Sequence, residues 1–114
     1  MKNEVTPQAE PGNFVLGMLA VRPSVMSAVS KTEVDNLLER HISGDWGLVG
    51  PVGQRINDRA LENGEKIFSV FESKSRHLLL FVTNGDRDTT FVALKDDPIW
   101  EVLLDNNRPS MATH

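Results

Sequence analysis

The sequence predicts a single α+β domain: an N-terminal strand and helices, followed by a three-strand antiparallel meander and a short C-terminal helix. Two observations carry that expectation. Between Pro23 and Asn63 apolar residues recur at helical spacing behind capping signals, whereas between Lys66 and Lys95 three runs rich in Phe, Val, Ile and Leu are separated by polar turns. The length of 114 residues adds a third, because it suits one domain whose core needs no disulfide or structural metal. Composition sets the boundaries: a flexible arm over 1–12, with Pro7, Pro11 and Gly12, the domain over 13–105, and a polar tail over 106–114.

Phe14 to Val21 is a short apolar run closed by Arg22 and Pro23, which suits a buried first strand in which Gly17 marks a bulge or a close backbone approach. Pro23 fits the first turn of a helix, where its missing N–H would be an orphan donor, and that helix is expected to reach Val29. Ser30 and Thr32 each stand three residues before an acid, Glu33 and Asp35, so either can cap a second helix beginning near Thr32. On it Val34, Leu37, Leu38 and His41 follow the i, i+3, i+4, i+7 rule, which places the imidazole at the C-terminal end of the core-facing stripe. Gly44 ends this helix, and Gly47, Gly50, Pro51 and Gly53 read as loop. Gln54 to Asn63 reads as a third helix, with Ile56, Ala60 and Leu61 on one face and Gly64 as its left-handed terminator.

Strands are expected at Lys66 to Phe71, His77 to Thr83 and Thr89 to Lys95. A two-residue turn at Asn84-Gly85 would face Phe81 with Asp88. A four-residue loop over 85–88 instead opposes Thr83 to Thr90, Val82 to Phe91 and Phe81 to Val92, and is preferred because like then meets like. Asp97 and Pro98 open a closing helix with Ile99, Trp100, Val102, Leu103 and Leu104 on its apolar face. The core is expected to draw on Val15, Leu16, Leu19, Val34, Leu37, Leu38, Ile67, Phe68, Leu78, Leu80, Val82, Phe91 and Ala93.

A formal charge of −4 gives no electrostatic footprint for sequence-independent binding to nucleic acid. The absence of cysteine excludes disulfides, thiolate zinc sites and a cysteine nucleophile, and agrees with a reducing, cytoplasmic location. The longest apolar run, Leu78 to Val82, falls far short of the roughly 20 residues of a membrane span, and no signal-like segment follows Met1-Lys2-Asn3-Glu4.

Two polar clusters carry the chemistry. Arg40-His41-Ile42-Ser43-Gly44-Asp45-Trp46-Gly47 combines a cation, an imidazole, a carboxylate and an indole where a helix gives way to a loop. His41 could transfer a proton with Asp45 fixing its tautomer, but a helix-end histidine packed in the core is the more frequent use of such a residue. Gly44 interrupts the helix that would align His41 and Asp45 on a metal, so no metal and no cofactor are expected. The second cluster, Thr83 to Thr90, sits at the tip of the hairpin; turn chemistry accounts for it except Arg87, which could pair with Asp86 or Asp88. Neither glycine pattern matches a P-loop or a dinucleotide fingerprint.

With both clusters in view, the chain resembles a family of small plasmid-related proteins of bacterial mobile elements. The matching residues are Leu16-Gly17, Arg40-His41 with Gly44-Asp45-Trp46-Gly47, then Asn57, Ala60, Gly64, Ser69, Thr83, Asp86-Arg87 and Thr90. The likeness covers about residues 14–94, and departs from the family pattern at Arg22-Pro23-Ser24, at Asn84-Gly85 and at Ala93-Leu94-Lys95. The resemblance implies a genomic setting and groups Arg40, Asp45, Trp46, Thr83, Asp86 and Thr90 as binding residues, without implying an activity.

Two functions are compatible with these readings. One is a non-catalytic accessory of a plasmid or other mobile element that binds a protein of host or element origin. The other is a metal-independent enzyme, such as an RNase-like toxin, in which His41 moves a proton and Arg40 or Arg87 stabilises a phosphoryl transition state. An enzyme requires His41, Asp45 and Arg87 to converge in one cleft, which makes their placement the deciding geometry.

Overall fold

The computed structural model describes residues 14–99 and 101. The expected arm, the tail, and Trp100, Val102, Leu103 and Leu104 of the closing helix lie outside them. That helix begins as expected, with the Asp97 carboxylate accepting the Ile99 N–H at 3.0 Å. The elements are β1 (Met18–Val21), α1 (Pro23–Ala28), α2 (Lys31–Ile42), α3 (Pro51–Asn63), β2 (Ile67–Glu72), β3 (Leu78–Thr83) and β4 (Thr89–Leu94). No helix among the described residues is long and apolar enough to cross a membrane.

The last three strands form the expected antiparallel meander, and the hairpin register is the one in which like meets like. Thr83 pairs with Thr90, Val82 with Phe91 and Phe81 with Val92, and Asn84 N–H bonds the Thr89 carbonyl at 3.0 Å, leaving 85–88 as the loop. The sheet itself is larger than a three-strand meander. It has four strands in the order β1-β4-β3-β2, with β1 parallel to β4, so the sheet is mixed.

The reason β1 adds beside β4 lies at the other edge, which is already occupied. Phe68 N–H donates to Asn57 Oδ1 at 3.1 Å and the Asn57 amide donates back to the Phe68 carbonyl at 2.6 Å, so this fully buried side chain acts as a surrogate strand. Two residues on, Val70 N–H bonds the Trp46 carbonyl at 3.2 Å and Leu48 N–H bonds the Val70 carbonyl at 2.7 Å. Replacing Asn57 with Ala strands two main-chain groups and should lower stability by about 2–3 kcal/mol in urea denaturation; a loss below about 0.5 kcal/mol would show that water substitutes freely at this edge.

On one face of the sheet Phe71, Leu79, Phe81 and Val92 pack against Val25, Val29, Val34, Leu37 and Leu38 from α1 and α2. A second cluster of Trp46, Val49, Ala60 and Ile67 joins α3 and its preceding loop to β2. The helical stripe read on α2 is therefore the buried one, with Ser30 as its cap, its Oγ accepting the Glu33 N–H at 3.2 Å.

Several boundaries and core positions differ from expectation. The first strand starts at Met18 instead of Phe14, because Gly17 adopts φ +68° and lies against the main chain of Arg87 and Asp88, where a Cβ would overlap them. Leu19 is exposed instead of buried, since β1 is an edge strand, and Val15, which precedes the strand, is exposed too; Leu16, Phe68, Leu78 and Phe91 are partly buried. Helix α3 begins at Pro51 rather than Gln54: Gly50 serves as N-cap, Pro51 takes the first turn, and Gly53 passes close to Val49 and Phe68.

Candidate functional site

His41 comes from the last turn of α2, and its helical position turns the ring onto the sheet, where it is wholly buried. There it meets three hydroxyls that the strand pleat places on the same face: Ser69 of β2, Thr83 of β3 and Thr90 of β4. The distances are 2.6 Å from Nδ1 to Ser69 Oγ, 2.9 Å from Nε2 to Thr83 Oγ1, and 2.7 Å from Thr83 Oγ1 to Thr90 Oγ1. Thr90 Oγ1 then donates to the Leu16 carbonyl at 2.8 Å.

Proton counting assigns the direction of this chain, since each hydroxyl has a single proton. Thr90 gives its proton to Leu16, so Thr83 must donate to Thr90, and His41 must donate through Nε2 to Thr83. Nδ1 is left to accept from Ser69. Every member is satisfied with a neutral imidazole carrying its proton on Nε2. Burial, followed by the charge of Arg87, lowers the His41 pKa from 6.5 to about 3, so neutrality is the stable state at ordinary pH.

Aromatic rings close the site. Phe14 stands edge-on to the imidazole at 5.1 Å, Trp46 at 6.0 Å, and Phe14 and Trp46 stack on each other at 6.2 Å. Trp46 thus covers His41 and not the Arg40–Asp45 pair, because the loop sends its ring into the core while the ion pair remains about half exposed.

That ion pair holds the loop in shape. Arg40 Nε donates to Asp45 Oδ2 at 2.7 Å and lies over the Phe71 ring at 4.5 Å, while Asp45 Oδ1 accepts the Gly47 N–H at 3.0 Å. The hydrogen bond from Arg40 holds the Asp45 carboxyl below its ordinary value. Gly44 and Gly47 have φ of +88° and +68°, and Gly47 lies so close to the Val70 carbonyl that no Cβ would fit. The Gly-Asp-Trp-Gly sequence is therefore a loop built to reach the β2 edge.

Arg87 does not pair with Asp86 or Asp88 as expected. Its backbone is left-handed, φ +61°, and its guanidinium folds back onto three carbonyls: Nη1 donates to Glu65 at 2.7 Å and Asn84 at 2.9 Å, Nη2 to Ala60 at 2.9 Å. Those of Ala60 and Glu65 lie at the C-terminal end of α3 and just beyond it, where a cation is favoured. Asp86 stays exposed and accepts the Asp88 N–H at 3.2 Å. Arg87→Ala should cost roughly 2–3 kcal/mol, and Arg87→Lys should recover less than half, because one ammonium nitrogen cannot take the place of two separate Nη groups that divide three carbonyls between them; equal stability of the Lys variant and wild type, measured by thermal melting, would assign Arg87 only a charge role.

The two clusters read from the sequence do meet. His41, Thr83 and Thr90 share one hydrogen-bonded chain, and Trp46 seals it. Arg40 and Asp45 stand outside it, and Asp86 faces solvent. Sequence reasoning missed Ser69 and Leu16 as partners of this chain and Asn57 as an edge cap, although the resemblance named all three; period-2 placement of Ser69 opposite Phe81 was the available signal. Among the described residues no group of His, Cys, Asp or Glu is arranged to hold a metal ion. A solvent-open cavity of about 270 Å³ lined by Arg76, His77, Leu78, Leu94, Lys95 and Asp96 lies at the opposite end of the sheet from His41. Comparison with protein-family models, with curated proteins and with solved structures gave no match to this chain.

Proposed function

We propose that this chain is a non-catalytic accessory of a plasmid or other mobile element, acting in the cytoplasm by binding a protein of host or element origin. One observation carries the preference over an enzyme. The residues that a phosphoryl-transfer mechanism needs at a cleft are otherwise engaged: both ring nitrogens of buried His41 are bonded to hydroxyls, Arg87 is bonded to three carbonyls, and Arg40 is paired with Asp45. A general base must reach the proton that it abstracts, and a buried, satisfied imidazole with a depressed pKa is poorly placed to do so. Large apolar side chains stand exposed instead, among them Met26, Leu48, Val52 and Ile56, as a protein-binding surface requires. The mobile-element setting rests on the resemblance at the His41 loop and the Thr83 to Thr90 hairpin.

The test compares hydrolysis of mixed-sequence single-stranded RNA with plasmid maintenance in a host carrying or lacking the gene. The expected result is no RNA cleavage above buffer and a maintenance effect that survives His41→Gln wherever the variant remains folded. RNA cleavage abolished by His41→Gln in folded protein would overturn the reading in favour of the RNase-like enzyme.

A further inference from the structure

The two edges of the sheet are unlike. At β2 the outward main-chain groups of Phe68 and Val70 are all bonded, to Asn57 and to the Trp46–Leu48 segment. At β1, Met18 N–H donates to the Asp88 carbonyl at 2.8 Å and Arg22 N–H to the Val92 carbonyl at 2.9 Å, which fixes the phase of the strand. Met18, Ala20 and Arg22 turn their main-chain groups toward β4; Leu19 and Val21 turn theirs outward, and among the described residues nothing bonds to them. Met18 and Leu19 are 72% and 42% exposed. Edge strands are ordinarily protected by Lys, Pro or a bulge, yet Phe14 to Val21 contains no charge and no proline.

We propose that β1 pairs antiparallel with β1 of a second copy about a twofold axis at Ala20, making one continuous eight-stranded sheet. The strand is complementary to itself in this register. Leu19 faces Val21 of the copy and Val21 faces its Leu19, so both outward residues exchange N–H and C=O bonds. The close, non-bonded pair, with Cα atoms about 4.5 Å apart, falls on Ala20 against itself, where side chains are smallest. A twofold axis at Leu19 would require Gly17, whose φ of +68° removes it from the strand.

Charge favours a copy over an unrelated strand. In this register Met18 faces Arg22 of the copy, and the β4 strand behind Met18 is preceded by exposed Asp88. Arg22 Nε donates to Asp97 of its own chain at 2.9 Å, which leaves its Nη groups to reach across; with strands about 4.8 Å apart, they come within side-chain reach of Asp88 in the other copy, twice by symmetry. A four-residue edge covers less than the roughly 1,200 Å² of stable interfaces, so the dimer is weak and reversible.

Sedimentation equilibrium of the full chain from about 10 µM to about 1 mM, a span suited to weak association, should show a monomer–dimer equilibrium. Because the chain contains no cysteine, Ala20→Cys should give a disulfide-linked dimer on mild oxidation. Met18→Lys, placed against Arg22 of the copy, should weaken dimerisation at least about tenfold, and Met18→Glu should tighten it; melting at low concentration verifies that both are folded. Asp58→Lys, on the exposed polar surface of α3, should change nothing. A monomer across the whole range, a dimer without the Ala20→Cys crosslink, or a dimer abolished by Asp58→Lys and untouched by Met18→Lys would each overturn the proposal.

Discussion

Replacing His41 with Ala should destabilise the protein by roughly 3–5 kcal/mol, the largest effect expected of any single polar side chain here. The substitution opens a void under Phe14, Trp46 and Phe81, and removes at once the acceptor of Ser69 and the donor to Thr83. Thr83 keeps its bond to Thr90, whereas Ser69 has no alternative shown on its strand, so the loss combines cavity and desolvation. His41→Gln, which supplies a carbonyl and an amide at similar reach, should retain about half of the difference. Urea unfolding of the three proteins checks this. A loss under 1 kcal/mol for Ala would mean that water enters and replaces the ring.

The second large effect is on acid stability. In the unfolded chain His41 takes a proton near 6.5, while in the fold burial and Arg87 hold its pKa at about 3. Between those values the unfolded state binds more protons, so stability is complete above pH 6.5 and falls as pH drops toward 3. The slope approaches about 1.4 kcal/mol per pH unit, for a cumulative loss of roughly 4 kcal/mol. Asp45, held low by Arg40, and Asp97, held low by the Ile99 N–H and by Arg22, lose stability in the same direction but only below their ordinary 3.8. The interval from pH 6.5 to 4 therefore isolates the histidine. Urea midpoints across that interval should decline in wild type and stay nearly level in His41→Gln; parallel curves would place the protonated ring comfortably inside the fold.

What could be read from the sequence was local pairing and periodicity. The α2 stripe put His41 on the buried face, and matching side chains across Val82 and Phe91 selected the hairpin register, because both arguments use neighbours that the chain itself supplies. What could not be read depended on distant partners. An apolar run such as Phe14 to Val21 looks the same whether it enters the centre of a sheet or its edge, and only the occupied β2 edge sends it beside β4. The partners of Arg87 lie beyond local reading for a similar reason: its acceptors at Ala60 and Glu65 are brought close by α3, not by the turn that contains it. Gly50 and Pro51 read as loop although they cap and begin α3, since the glycines around them obscured a short helical start.

The parallel pairing of Met18 with Thr89 also sets an order of assembly. The three antiparallel strands are neighbours in sequence and can zip through short turns, whereas β1 must wait for a partner some 70 residues downstream. During synthesis it leaves the ribosome before β4 and cannot pair until β4 follows. An uncharged strand that spends this interval without its partner is the part of the chain most open to pairing with the wrong one, so the step that completes the sheet is also the step at which folding competes with aggregation.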